Sequence, residues 1–69
     1  MSTEVLERRY DVLRMVATHP MYPTPAIAKL MNRDREGVYR DLLALEQAGR
    51  VKRIKTGAWT GHRWFVEGY

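Results

Sequence analysis

The chain of 69 residues has no cysteine, which excludes disulfides, thiolate metal sites and a cysteine nucleophile. It has one serine, Ser2, and two histidines, His19 and His62, which lack the spacing of metal ligands. No glycine-rich loop is built to cradle a phosphate. These gaps leave catalysis with few parts to work with, so we expect a non-enzyme that uses no cofactor and no metal. No apolar run approaches the roughly 18 residues of a bilayer span, and the N-terminus lacks the basic-then-apolar layout of a secretion signal. A cytoplasmic protein is expected. No internal repeat, low-complexity stretch or second domain is visible, so residues 1 to 69 read as a single domain.

What the chain does have is positive charge, unevenly placed. Twelve Lys and Arg face eight Asp and Glu, a formal net charge of +4. Near the N-terminus Glu4, Glu7 and Asp11 balance Arg8, Arg9 and Arg14, whereas Arg50, Lys52, Arg53, Lys55 and Arg63 stand together without an acid. Such a face suits a polyanion, because each cation set against a phosphate releases condensed counterions. On charge alone, a solvated surface that keeps the chain soluble fits equally well. A chain this short buries a modest core with little stability to spare, so a second copy or a ligand would complete it, and a homodimer is the default expectation.

Apolar Val5, Leu6, Tyr10, Val12, Leu13, Val16 and Ala17 recur at three- and four-residue spacing and predict an amphipathic helix from Thr3 to Thr18. Ser2 or Thr3 can cap it, and His19-Pro20 ends it, because a residue before proline avoids helical geometry. Met21-Tyr22-Pro23 reads as a linker. Thr24-Pro25 has the form of an N-cap with proline at the first helical position, opening a short helix to about Met31. Asn32, which tolerates left-handed geometry, makes the turn. Asp34 caps a third helix running to about Ala48 and ending at Gly49. On that helix Val38, Leu42 and Leu45 share one face and should pack against Ile27, Met31 and the first helix. Val51 to Lys55 and His62 to Val66 read as strands around a tip, Thr56 to Gly61, that holds two glycines.

The stretch Ile27 to Val51, and within it Val38-x-x-x-Leu42-x-x-Leu45-x-x-x-Gly49-x-Val51, resembles the winged helix-turn-helix of bacterial MarR-like, ArsR-like and Lrp-like transcription regulators. The resemblance implies an α+β fold of three helices plus a two- or three-stranded β-hairpin wing. It also implies a function: duplex-DNA binding, with the second helix of the motif in the major groove. Arg33 departs from the pattern, which more often has an apolar residue there, and its side chain is expected across the turn. A partial likeness to Z-DNA-binding winged helices, through Trp64, fails at Tyr39 and Leu43, where that family has asparagine and tyrosine; its activity is not carried over.

With Val38, Leu42 and Leu45 turned inward, Arg35, Glu36, Tyr39 and Arg40 become the readout candidates. Arginine grips guanine with two hydrogen bonds, glutamate accepts from cytosine N4, and tyrosine reaches a phosphate or a thymine methyl. The competing reading pairs the arginines with Glu36 or Asp41 on the surface. Gly37 costs helix stability, so either something approaches the backbone there or the glycine is merely tolerated near a helix start. Thr24 is a phosphate-binding candidate at a helix start, or a plain N-cap. In the wing, Arg53, Lys55, Thr56, Gly57, Thr60, His62 and Arg63 suit phosphate or minor-groove contact. Trp59 either folds back onto the sheet or touches a sugar, a base or a partner. Leu43 either packs under the wing or joins Tyr22, Leu30 or Tyr69 in a dimer seam, and Trp64 is assigned to the core.

The expected function is a small sequence-specific double-stranded-DNA-binding transcription regulator, a repressor that occupies a promoter as a homodimer. The alternative is a winged-helix module that docks on a partner protein through Trp59, Leu43 and Tyr39. RNA binding is weaker, since the aromatics form no stacking platform.

Overall fold

A computed structural model of the chain describes residues 3–67. Three helices, α1 (Thr3–Thr18), α2 (Thr24–Met31) and α3 (Arg35–Gln47), are joined by three short strands, β1 (Tyr22–Pro23), β2 (Lys52–Ile54) and β3 (Arg63–Phe65). The strands form an antiparallel sheet in the order β1-β3-β2, with Tyr22 opposite Trp64 and Arg53 opposite Trp64 on the other edge. This is a winged helix-turn-helix.

The helix boundaries follow from local chemistry. Asn32 sits at φ 53° and ψ 48°, reversing the chain after α2, and the next amide, of Arg33, donates to the Ala28 carbonyl at 2.9 Å. Asp34 caps α3 by accepting from the Gly37 amide at 3.4 Å. Beyond Ala48 the chain leaves α3 through Gly49 at φ 76°, a left-handed geometry that costs a side-chain-bearing residue about 1–2 kcal/mol. Ser2, one expected cap of α1, lies outside the described residues.

Three sequence expectations change. Of the expected linker Met21 to Pro23, Tyr22–Pro23 form an edge strand and Met21 is the turn residue before it: the Met21 amide donates to the Trp64 carbonyl at 2.8 Å, and its own carbonyl accepts from Arg63 Nη1 at 3.0 Å. These bonds hold Met21 at φ 68°. The wing strands are shorter than the expected Val51 to Lys55 and His62 to Val66, because the chain between them coils into a 3-10 turn, Trp59–Gly61. Finally, α1 does not bury all its apolar residues. Val12 and Val16 are fully enclosed, but Leu6 and Tyr10 point outward, 54% and 59% exposed.

The core is Val12, Val16, Ile27, Ala28, Val38, Leu42, Leu45, Val51 and Trp64, with Met31, Tyr39, Leu43 and Val66 packed around it. Leu43 thus rests against the core, and Tyr69, named with it for a dimer seam, lies outside the described residues. Trp64 closes the sheet on the helices. Its burial contributes at most about 4–6 kcal/mol, from the area of an aromatic ring and the usual hydrophobic coefficient. A polar clasp joins α1 to α3: Arg8 donates from Nε and Nη2 to the buried Asp41 carboxylate at 2.8 and 3.1 Å, and Arg9 Nε lies 3.8 Å away. That carboxylate holds the Arg8 guanidinium protonated beyond its already high ordinary range, by hydrogen bonding first and charge second.

Candidate nucleic-acid interface

The first two turns of α3 present Arg35, Glu36 and Arg40 to solvent, with exposed Arg33 and Asp34 just ahead of them. Asp41 is taken by the α1 arginines, so the surface pair Arg40–Asp41 does not form and Arg40 stays with Gly37 and Arg33 along a cleft of about 240 Å³. Helical spacing places Arg35 and Glu36 one turn ahead of Tyr39 on the same side of α3. Tyr39 therefore marks where the wing meets this row.

Tyr39 and Trp59 stack with ring centroids 4.6 Å apart and planes at 38°, and Tyr39 meets Trp64 edge-on at 6.1 Å. Trp59 thus folds inward, onto α3 rather than onto the sheet. Beneath the stack lies Arg53. Its Nη1 donates to the Tyr39 hydroxyl at 3.1 Å and sits 3.4 Å from His62 Nδ1, and its guanidinium lies 5.7 Å over the Trp64 ring. Arg53 Nε is 3.0 Å from Glu46 Oε2, close enough to pair by charge though not aligned as a hydrogen bond. Each aromatic pair of this kind contributes about 0.5–1.5 kcal/mol beyond its area, so the wing is fastened to the middle of α3.

This cluster redistributes the expected contact residues. Arg53, with its side chain 17% exposed, and His62, 8% exposed, are packed beneath the wing, against the expectation of phosphate or minor-groove contact. Thr24 is fully buried and its hydroxyl accepts from Trp64 Nε1 at 2.9 Å; Pro23, not Thr24, occupies the N-cap of α2. Its side chain is therefore committed to the core. Tyr39 is half-buried, and its hydroxyl is already engaged by Arg53. Of the wing residues expected to contact DNA, Lys55, Thr56, Gly57 and Arg63 are exposed and Thr60 partly so. The Thr56 hydroxyl donates to the Gly61 carbonyl, and a Cβ on Gly61 would meet the Thr56 carbonyl oxygen at 2.7 Å, so only glycine closes this loop.

The cluster of Arg53, His62 and Tyr39 was missed as a structural unit. Its one legible trace was the seven-residue interval from Tyr39 to Glu46, which sets both on the side of α3 that a strand covers. Among the described residues no group of three or more His, Asp or Glu side chains is placed to hold a metal. No helix among them is long and apolar enough to cross a membrane.

No protein-family model matches the chain, and no curated protein matches it. Among solved structures the transcriptional regulator SlyA superposes with a TM-score of 0.67 at 25% identity, over 84% of this chain and 41% of that one. The chain thus spans about two fifths of the length of that protein. Helix-turn-helix geometry, the three-stranded sheet and this superposition agree: the chain is a winged helix-turn-helix similar to the one within the transcriptional regulator SlyA.

Proposed function

We propose that the protein is a sequence-specific duplex-DNA-binding transcription regulator, a cytoplasmic homodimer that represses by occupying a promoter. The N-terminal half of α3 enters the major groove, where Arg35, Glu36 and Arg40 meet base edges and Arg33 meets the backbone. Lys55, Thr56, Gly57 and Arg63 of the wing follow the backbone or the minor groove alongside. The observation that carries this reading is the Tyr39–Trp59 stack, which holds the exposed wing tip beside the exposed arginine row of α3. A preset surface of this kind avoids the ordering cost that a loose wing would add to binding. The alternative of docking on a partner protein through Trp59, Leu43 and Tyr39 loses support, because all three are packed within the fold.

Selection of bound duplexes from a random pool, followed by titration of the winner, tests this. Arg40→Ala should weaken the selected site by about 1–3 kcal/mol while random duplex is affected far less. A pool that yields no preferred sequence, or an Arg40→Ala protein that binds the selected site as before, refutes the assignment.

A further inference from the structure

Between α1 and the C-terminal half of α3 the fold leaves an apolar groove uncovered. Leu6 and Tyr10, one turn apart along its α1 side, stand 54% and 59% exposed. Beside them run two adjoining clefts of about 330 and 340 Å³, which share Tyr10, Leu13 and Arg50. The first is backed by Ala44 and Ala48 of α3, whose small side chains admit another backbone closely; the second continues to Ala17 and Val66. From Leu6 to Ala17 the groove follows about 16 Å of α1, three helical turns. That length and an apolar floor suit one amphipathic helix laid lengthwise.

Charge identifies the partner. Arg14 lines the second cleft and Arg50 lines both, whereas no Asp or Glu lines either. Both arginines are exposed, and neither forms an ion pair with another described residue. Arg9, also at the first cleft, is drawn toward Asp41 at 3.8 Å, and Glu7, one turn before Tyr10, lines neither cleft. A second copy would bring the same uncompensated arginines to the groove. A nucleic acid would have to set its hydrated backbone on leucine, alanine and valine, at a cost in desolvation that no apolar contact repays. A helix with one apolar stripe and carboxylates along its flanks meets both the floor and the cationic rim.

We propose that the groove between α1 and α3 is a docking site for an acidic amphipathic helix of a partner protein, its apolar stripe on Tyr10, Leu13 and Ala48 and its carboxylates against Arg14 and Arg50. A groove of three turns buries little area, so the contact is weak and reversible. The site goes beyond the DNA-binding reading and does not rest on it. It shares no residue with the docking route through Trp59, Leu43 and Tyr39, and the second copy of the proposed homodimer then uses another surface.

Fluorescence anisotropy of a labelled peptide tests the site in the full chain. The probe is a capped helical peptide of about four turns with leucine along one stripe and glutamate elsewhere; one reference peptide has lysine for every glutamate, and another has the same composition with the stripe scrambled. The acidic peptide should bind with a dissociation constant tighter than about 100 μM, and both references at least tenfold more weakly. Arg14→Glu and Arg50→Glu should each weaken it by about fivefold, and Tyr10→Glu should abolish binding with an unchanged helical circular dichroism spectrum. An acidic peptide that binds no better than the lysine or scrambled one, or that binds Tyr10→Glu as it binds the wild type, overturns the proposal. Two further results overturn it by giving the groove to another occupant: self-association that Tyr10→Glu abolishes and that excludes the peptide, or duplex DNA that displaces the peptide.

Discussion

At the scale of single residues, Thr24 and Gly37 show how the same side chain reads differently once its neighbours are known. Thr24 at a helix start suggests a phosphate contact, but its hydroxyl is the acceptor for the buried Trp64 indole. Thr24→Val should therefore cost about 1–3 kcal/mol of stability, the penalty of an unsatisfied buried donor, read by urea denaturation. Thr24→Ser should recover most of it, and the salt dependence of DNA binding should not move in either variant. Gly37 is the converse case. A Cβ added there meets nothing within 4 Å, and its backbone is not left-handed, so the fold does not demand glycine. Gly37→Ala should raise stability by up to about 1 kcal/mol through helix propensity. If the Gly37 backbone is a point of close approach to DNA, the same variant should bind the selected duplex more weakly. Equal or tighter binding would show the glycine to be merely tolerated.

At the scale of elements, the fold depends on two fastenings between pieces distant in sequence: Arg8 to Asp41 between α1 and α3, and the stack of Trp59 on Tyr39 between wing and α3. The second sets where the wing tip lies. A double-mutant cycle over Tyr39→Leu and Trp59→Leu should return a coupling of about 0.5–1.5 kcal/mol in stability. Both single variants should lose DNA affinity through a loosened wing, and a coupling near zero would remove the fastening from the account. By contrast, the Lys52–Glu67 pair at 2.6 Å is exposed on both sides. Hydrogen bonding and charge from Lys52 hold the Glu67 carboxyl below its ordinary range, yet solvent screening leaves it little weight in stability.

The helices and the turn between them were legible because their signals are local. The 3.6-residue rhythm of α1, the left-handed tolerance of Asn32, the Asp34 cap and Gly49 each act within a few residues of themselves. Strand β1 was not legible, since two residues show no alternation and pair only because β3 arrives beside them. The same holds for Leu6 and Tyr10: periodicity marks them apolar, but the width of the face that α2, α3 and the sheet cover determines whether they are buried.

At the scale of the whole molecule, charge is what a distant duplex would sense. Arg33, Arg35, Arg40, Lys55 and Arg63 are exposed on the α3 and wing surfaces, whereas Arg8, Arg9 and Arg53 are drawn into internal contacts. The logarithm of the binding constant should fall with the logarithm of salt by about 0.9 per phosphate contacted. Lys55→Ala should reduce that slope by about one contact and weaken all sequences alike. A salt-independent affinity would contradict a phosphate-led surface.

By itself, the sequence determined the helix-turn-helix, the inward face of α3, the place of Trp64 and the excess of positive charge. Each of these follows from spacing, capping or composition within a short stretch of chain. The tertiary structure alone decided which cations remain available to a partner. Arg53 and Arg35 are the same residue type in one basic chain, and only the arrival of Tyr39, Glu46, His62 and Trp64 around the first turns it from a candidate phosphate contact into part of the wing's support. Burial and pairing are set by neighbours that the fold brings from far along the chain, and no local pattern encodes them.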